Sequence, residues 1–391
     1  MYTEEEVRGA TLEYFKEDEL ATNVFISKYC LRDKDGNFLE KTPDDMHKRL
    51  AAEFARIEDK FEAGKNSYLT ENEIYSFFKD FKYIVPQGSP MMGIGNNHVN
   101  VSLSNCVVVD SPADNISSIV DAGKHLANLF KRRCGVGLDI SKLRPENASV
   151  NNSARTTTGA WSFADFYSYV CRMIGQNGRR GALMISMDIR HPDIEKFITM
   201  KRDLTKVTGA NVSVKISDSF MEAVENNESF TLQFPVDSAD PTHTTTIDAQ
   251  SLWNKIVESA TLTAEPGLLM WDNIINNLPA ECYRDEGFQT ITTNPCGEIP
   301  LSAYDSCRLV SLNLKHLVRN PFSEKAVFDF NKLKEIVSVG MRLSDDLVEL
   351  ELEKLERIKG ACDTPSEKEL WDNLHTCLLY TSDAADDLLC V

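Results

Sequence analysis

Between residues 106 and 270, short runs of β-branched and aliphatic residues alternate with longer amphipathic stretches. The short runs occupy residues 106–109, 182–185, 211–214 and 267–270. The amphipathic stretches lie near residues 115–133, 162–177, 217–227 and 251–262. Strand-like runs that alternate with helical patterns in this way are typical of an α/β fold with a parallel sheet.

The first 85 residues have a different pattern, which is helical. From Asp44 to Phe61, apolar side chains recur at a spacing close to 3.6 residues, so this segment is expected to be an amphipathic helix. The pattern predicts a small all-α domain over residues 1–85, followed by the α/β region over residues 86–376. A second long helical pattern covers about residues 331–358.

Composition excludes several classes of protein. A net charge of −18 argues against wrapping DNA or RNA, which needs a concentrated surface of Lys and Arg. The 10 cysteines have scattered spacings without a zinc-ligand pattern, so neither a disulfide scaffold nor a metal site is predicted. No apolar run approaches the ~20 residues of a membrane span. The acidic, amphipathic N-terminus is not a secretory signal, which predicts a cytoplasmic protein without membrane contact.

The segment Asn294-Pro295-Cys296-Gly297-Glu298 is the one most typical of catalysis. In an extended backbone alternate residues point to one side, so Asn294, Cys296 and Glu298 would face one small substrate together. Pro295 and Gly297 favour a constrained loop over a helix. An amide that orients hydroxyls, a sulfur for redox or radical chemistry and a carboxylate base form a catalytic set.

Three cysteine-containing strings together resemble the ribonucleotide reductases. They are SNCVVV at 104–109, NPCGE at 294–298 and DSCRL at 305–309. The central string, followed eleven residues later by Cys307, is most similar to that of the adenosylcobalamin-dependent class II enzymes. The resemblance covers about residues 1–376. It implies the first half of a ten-stranded α/β barrel, incomplete in this chain, with residues 294–298 on a loop through the barrel centre.

The resemblance implies catalytic roles for five residues. A thiyl radical at Cys296 would take the 3′-hydrogen of the ribose, which assists departure of the 2′-hydroxyl as water. Glu298 would accept the 3′-hydroxyl proton, and Asn294 would orient the ribose hydroxyls. Cys106 and Cys307 would supply two electrons and end as a disulfide, which a thioredoxin- or glutaredoxin-type reductant would reduce again. Adenosylcobalamin is the implied cofactor.

The resemblance also implies nucleotide contacts outside this set. The implied contacts to a ribonucleoside di- or triphosphate are Ser89, Asn105 and Gly135. Asp114 and Arg144 stand where the family contacts the sugar and a phosphate of a dNTP effector. The loops 144–155 and 201–211 would form the effector site, although ordinary solvated loops are the alternative.

Three further segments receive structural predictions. The run at 175–182 is expected to be a turn before a strand, and His191-Pro192-Asp193 a strand-to-helix corner in which Asp193 caps the helix. Residues 377–391 match nothing in the family and are expected to be an artefactual tail, such as translated adapter sequence.

Several alternatives stay open. A class I large subunit would need no cofactor in this chain, because its radical arrives from a separate metal-containing subunit. An inactive nucleotide-binding fragment is the second alternative, since the family's later phosphate-binding loop and C-terminal cysteines are missing. A glycyl-radical enzyme on a related barrel fits the paired cysteines less well. The 391-residue chain alone is expected to be inactive, and a homodimer is one possible assembly, which the sequence does not decide.

Overall fold

The computed structural model describes residues 1–62, 69–174 and 181–387. The chain divides into two compact units, of which one combines residues 1–105 with those from 307 onward and the other comprises residues 106–306. The domain boundary expected at residue 85 stays a prediction. Most of the turn predicted at 175–182 lies outside the described residues.

Helices and strands alternate along most of the chain. The helices are α1 Glu4–Tyr14, α2 Glu19–Lys28, α3 Pro43–Glu62, α4 Glu71–Phe78, α5 Ser89–Gly93, α6 Ile116–Phe130, α7 Ala160–Met173, α8 Ile194–Thr199, α9 Asp218–Glu225, α10 Ala249–Thr263, α11 Trp271–Asn277, α12 Phe330–Gly360 and α13 Pro365–Asp387. The strands are β1 Ile84–Pro86, β2 Cys106–Val108, β3 Gly135–Asp139, β4 Leu183–Asp188, β5 Asn211–Ile216, β6 Ser229–Phe234, β7 His243–Asp248, β8 Gly267–Met270, β9 Thr290–Thr293, β10 Pro300–Ser302, β11 Ser306–Cys307, β12 Val310–Leu312, β13 Val318–Arg319 and β14 Val327–Phe328.

The unit 106–306 is built on a parallel sheet. Five of its strands pair in the order β2-β3-β4-β5-β8, all parallel. Strands β3 and β4 are buried along their whole length, as expected for parallel strands covered on both faces. The four runs predicted as strands are β2, β4, β5 and β8 of this sheet. The predicted α/β class, with the first half of a barrel, is therefore confirmed.

Polar residues at the helix starts explain why the helices begin where they do. Asn115, Ser217 and Asp248 directly precede α6, α9 and α10, and each side chain accepts a hydrogen bond from a backbone N–H of the first turn. Each cap satisfies a donor that has no partner within its own helix. Helix α10 ends at Thr263, and the next residue, Ala264, has a left-handed φ of 60° that turns the chain towards β8.

The unit containing the N-terminus is mainly helical. Helices α3 and α12 correspond to the helical patterns at 44–61 and 331–358, and their apolar faces belong to one core. The core residues that they contribute include Met46, Leu50, Phe54, Ile57, Ile336, Leu343, Leu347 and Leu350. The short strand β1 pairs antiparallel with β12 in the same unit.

Helix α13 includes most of the segment predicted to be a tail, while residues 388–391 lie outside the described ranges. Among the described residues, no helix is both long enough and apolar enough to cross a membrane.

Candidate active site

The predicted catalytic segment forms a tight turn between β9 and β10. The two strands pair antiparallel, with Thr293 opposite Pro300. The Asn294 N–H donates to the Ile299 carbonyl at 3.1 Å, and the Ile299 N–H donates to Asn294 Oδ1 at 3.0 Å. Gly297 closes the turn with a φ of 87°, which favours glycine. The amide of Asn294 therefore holds the loop that it belongs to.

The turn separates the three side chains expected to face one substrate. Asn294 is fully buried, whereas Cys296 and Glu298 are exposed. The expectation assumed an extended backbone, in which alternate side chains share a side, and a turn does not preserve that alternation. Asn294 points towards the sheet, where its Nδ2 lies 3.8 Å from the Cys106 sulfur.

Cys106 is the first residue of β2 and is 8% exposed. In the parallel register it lies opposite Gly135, the first residue of β3 and a predicted substrate contact. The structure thus brings together Cys106, Gly135 and Asn294 at the amino ends of the parallel strands.

Strand β9 crosses the sheet so closely that one position requires glycine. A Cβ added at Gly137 in β3 would lie 2.0 Å from the Thr293 carbonyl oxygen, which no side chain permits. Beyond this contact, the Thr292 hydroxyl lies 2.7 Å from the Ser186 hydroxyl in β4. At the end nearer the turn, Asn211 Nδ2 donates to the Pro295 carbonyl at 2.9 Å.

A buried ion pair lies beneath the same strand. Lys215 Nζ is 2.9 Å from Asp139 Oδ2, and the two side chains are 10% and 4% exposed. The Ser186 hydroxyl donates to the same carboxylate oxygen at 2.7 Å, while Lys215 also donates to the Ile291 carbonyl at 3.3 Å. The sequence analysis did not predict this network. A charged or hydroxyl residue within an otherwise apolar strand, as at Ser186, is the sequence feature that could have indicated it.

The predicted substrate contacts Ser89 and Asn105 meet in the unit that contains the N-terminus. The Ser89 N–H donates to Asn105 Oδ1 at 2.8 Å, and the Asn105 N–H donates to the Cys307 carbonyl at 2.8 Å. Ser89 and Cys307 are both buried. Asn105 is therefore fixed beside one of the predicted redox cysteines within this unit.

A fully buried carboxylate supports the segment that leads to Asn105. Glu351 in α12 accepts hydrogen bonds from the Ser102 hydroxyl and the Leu103 N–H, both at 2.5 Å, and from the Ser104 hydroxyl at 3.0 Å. Burial raises the pKa of Glu351, since an ionised carboxyl is costly away from water. The sequence analysis did not identify this residue.

The two predicted effector residues contact one another. Arg144 Nε lies 2.7 Å from Asp114 Oδ2, and the Arg144 N–H donates to Asp114 Oδ1 at 3.1 Å. Both side chains are about one third exposed, so the pair lies at the surface. The second predicted effector loop spans residues 201–211. Lys201 Nζ donates to the Ala210 carbonyl at 2.7 Å, and the Val207 N–H donates to Asp165 in α7 at 3.0 Å.

A cavity of about 870 Å³ lies at the opposite ends of the strands, next to the carboxyl ends of β3 and β4. Its charged lining includes Asp139, Asp188, Arg190 and Lys215, which are paired among themselves. Within the described ranges, no group of three or more His, Cys, Asp or Glu side chains is placed to hold a metal ion.

Several known proteins are similar in sequence to this chain. The family described as "Ribonucleotide reductase, barrel domain" matches residues 104–364. A vitamin B12-dependent ribonucleoside-diphosphate reductase from Thermoplasma acidophilum is 29% identical over 394 residues, covering 87% of this chain and 49% of that protein. The protein of the same description from Mycobacterium tuberculosis is 29% identical over 334 residues, covering 84% and 45%. A ribonucleoside-diphosphate reductase large chain from Neurospora crassa is 27% identical over 281 residues, covering 63% and 29%.

A solved structure is similar in fold. The alpha subunit of a class Id ribonucleotide reductase from Actinobacillus ureae matches with a TM-score of 0.64 at 17% identity, over 94% of this chain and 58% of that one. At this identity the likeness shows the fold alone. Because the family match spans more than half of the sequence, the chain belongs to the ribonucleotide reductase family. It spans about half the length of the curated vitamin B12-dependent relatives.

Proposed function

We propose that the protein containing this chain reduces ribonucleotides to 2′-deoxyribonucleotides by thiyl-radical chemistry, and so supplies precursors for DNA synthesis. The observation that carries the proposal is the turn after β9. It leaves the Cys296 thiol exposed and holds Asn294 3.8 Å from the Cys106 sulfur at the amino ends of the strands. The vitamin B12-dependent relatives support the same reaction.

In this proposal Cys296 exchanges one hydrogen atom with the substrate. As a thiyl radical it takes the 3′-hydrogen of the ribose, and it returns a hydrogen atom to the 3′-carbon at the end of the cycle. The exposed Glu298 accepts the 3′-hydroxyl proton as a general base, because loss of that proton helps the 3′-radical to expel the 2′-oxygen. Asn294, anchored by its own turn, is a rigid group near the ribose hydroxyls.

Cys106 and Cys307 supply the reducing electrons. The 2′ carbon–oxygen bond breaks, and the oxygen leaves as water after taking a proton from Cys106. A new carbon–hydrogen bond forms at the 2′-carbon with the second proton and the two electrons from the thiols. The two thiols together lose two electrons and two protons and become a disulfide. Both cysteines are buried, at 8% and 6% exposure. A thioredoxin- or glutaredoxin-type dithiol then restores them.

We assign adenosylcobalamin as the source of the radical, in line with the names of the vitamin B12-dependent relatives. When bound, it supplies a cobalt–carbon bond whose homolysis starts the radical chemistry. Cys296 and Gly297 are the residues that would face it. They fit a large group, because Cys296 is exposed and a Cβ at Gly297 would meet nothing within 4 Å.

A class I large subunit is the second candidate. In that case the radical comes from a metal-containing partner subunit, and this chain binds no cofactor of its own. The similarity to the large chain from Neurospora crassa favours this candidate.

The nucleotide sites complete the proposal. A ribonucleoside di- or triphosphate contacts Ser89, Asn105 and Gly135, of which Ser89 and Asn105 are already joined by a hydrogen bond. A dNTP effector binds at the surface pair Asp114 and Arg144, where the phosphates compete with the carboxylate for the guanidinium.

The test is a turnover assay on the protein encoded by the complete reading frame that contains this chain. CDP and CTP are supplied with a dithiol reductant, with and without adenosylcobalamin. Product that requires adenosylcobalamin is expected, and the preferred substrate distinguishes diphosphate from triphosphate reduction. Product that requires a metal-containing subunit instead supports class I, whereas no product in either case contradicts the proposal.

A further inference from the structure

The carboxylate of Asp193 caps a helix other than the one that it precedes. Asp193 stands directly before α8, yet its side chain makes no capping hydrogen bond there, so the sequence-based expectation for this corner is wrong. Its Oδ2 accepts instead from the N–H of Ala160, the first residue of α7, at 2.8 Å. Its Oδ1 accepts from the Glu146 N–H at 2.9 Å. One side chain therefore holds two backbone positions that are far apart in sequence.

His191 extends this attachment to a third position. The ring is fully buried, and its Nδ1 accepts from the Asp193 N–H at 3.0 Å. The ring proton therefore sits on Nε2, which lies 2.8 Å from the Leu143 carbonyl and donates to it. Burial lowers the pKa of His191 and so favours the neutral ring that this pattern requires.

Glycine at position 159 is necessary for the arrangement. Gly159 has a φ of 90°, and a Cβ added there would lie 2.4 Å from Asp193 Oδ2 and 2.7 Å from the Glu146 nitrogen. Any other residue would displace either the carboxylate or the backbone that it binds.

The attachment closes the base of a small hairpin. Between the two held amides, Asn147 N–H donates to the Thr157 carbonyl at 3.0 Å, and Ser149 forms a bridge with Thr156. Arg144 lies at the base of this hairpin and donates to the Ser149 carbonyl at 2.7 Å. These hydrogen bonds thus attach both the hairpin and Arg144 to the His191-Pro192-Asp193 corner, which follows β4.

We propose that His191 and Asp193 are positioning residues for the effector site, since they fix the hairpin 146–160 so that Arg144 is presented to a nucleotide phosphate beside Asp114. This inference rests on the effector role proposed above. It assigns a function to the His191-Pro192-Asp193 corner, which the reaction itself does not use. Neither residue contacts the nucleotide in this proposal.

The experiment measures dTTP binding to the full chain by calorimetry, together with hydrogen exchange at the Glu146 and Ala160 amides. Asp193→Ala is expected to weaken binding by about tenfold or more, because two hydrogen bonds to a charged group are lost. Gly159→Ala should reproduce this effect although the carboxylate is retained. The matched control is Glu146→Gln, which removes the exposed ion pair with Lys196 but keeps the held amide, and it should bind within about twofold of the unmodified chain.

The two readouts separate the possible failures. If Asp193→Ala frees both amides to exchange yet binds dTTP normally, the attachment is only structural and the positioning role is wrong. If the unmodified chain binds no dNTP, the effector role fails, and exchange at the two amides still decides whether the attachment exists. Asp193→Asn keeps one acceptor oxygen and replaces Asp193→Ala if that variant does not fold, with a smaller loss of affinity expected.

Discussion

Single residues decide how closely the catalytic strand approaches the sheet. Gly137 has no side chain and so leaves room for the Thr293 carbonyl of β9. The hydroxyls of Ser186 and Thr292 are also in contact, between β4 and β9. The remaining contacts are made by the charged groups of Asp139 and Lys215, which are both buried. The position of the Cys296 turn is therefore set by backbone and side-chain contacts at the strand that precedes it.

Gly137→Ala is expected to destabilise the unit 106–306 by about 1–3 kcal/mol, because the new methyl group would force β9 away from β3. The measurement is urea unfolding followed by tryptophan fluorescence. Gly360→Ala is the control, since a Cβ at the end of α12 meets nothing within 4 Å. Equal stability of the two variants would contradict the close approach.

Lys215→Met should destabilise the protein by about 3–5 kcal/mol, because it leaves Asp139 charged and without its ammonium partner inside the sheet. Adding Asp139→Leu should recover a large part of that loss, since no buried charge is then left unpaired. A double-mutant cycle by urea unfolding measures the coupling. Additive losses would show that the two residues do not form a coupled pair.

The roles of single residues are the least predictable part of the molecule. The string 294–298 identifies a catalytic loop, but whether its side chains share a side depends on the backbone, and a turn replaces the extended form assumed. Asp193 was expected to cap its own helix and caps α7 instead. Such contacts between distant residues leave no local pattern in the sequence.

Helices and strands follow their local signals more closely. The runs predicted at 211–214 and 267–270 are β5 and β8, and the pattern at 331–358 is α12 with one or two further residues at each end. Apolar spacing is a property of the segment itself, so it can be read without knowledge of the fold. The caps that set the final boundaries, such as Asn115 before α6, are equally local.

One contact between α3 and α12 depends on pH. Burial, together with the nearby charge of Glu58, raises the pKa of Asp346 to about 8. Arg342 donates two hydrogen bonds to the carboxylate of Glu58. Because the folded state retains a proton that the unfolded chain releases near pH 4, the free energy of unfolding should fall as pH rises from about 4 to 8.

Asp346→Asn should remove this fall in the free energy of unfolding. The stability of the variant, compared with that of the unmodified chain, should therefore be higher at pH 8 than at pH 5. Urea unfolding at both values measures the difference. Asp363→Asn is the control, because that side chain is exposed and lies beyond the end of α12. The same pH dependence in the unmodified and Asp346→Asn chains would contradict the assignment.

Helices α6 and α7 carry apolar side chains that are partly exposed. They pack on each other, with Phe166 against Gly123, yet Val120, Tyr169 and Met173 are 52%, 56% and 61% exposed. An apolar patch on two neighbouring helices is typical of an interface. We propose this surface as the contact of the possible homodimer.

Met173→Glu should weaken the dimer by about tenfold or more, because a charge would be buried in its apolar interface. Light scattering after size-exclusion chromatography measures the mass over a range of concentrations. Leu262→Glu in α10 is the control, since Leu262 is equally exposed but lies on another helix. A chain that is monomeric without any substitution would contradict the homodimer.

Across the whole molecule, local patterns in the sequence predict the fold class. The family resemblance gives the three cysteine-containing strings their expected roles, because they occur in the same order as in the family. The sequence does not predict that residues 1–105 and those from 307 onward form one unit, since that depends on packing between segments far apart in sequence. The cytoplasmic location and the absence of nucleic-acid binding stay predictions.

The central claim is that Cys296 carries the radical while Cys106 and Cys307 are oxidised. The most direct measurement is a single turnover of the prereduced complete enzyme without an external reductant, followed by mapping of its disulfides. One Cys106–Cys307 disulfide should form for each deoxynucleotide, with Cys296 still reduced, and Cys296→Ser should give neither product nor disulfide. Deoxynucleotide formed by the Cys296→Ser enzyme, or a disulfide that includes Cys296, would contradict the claim.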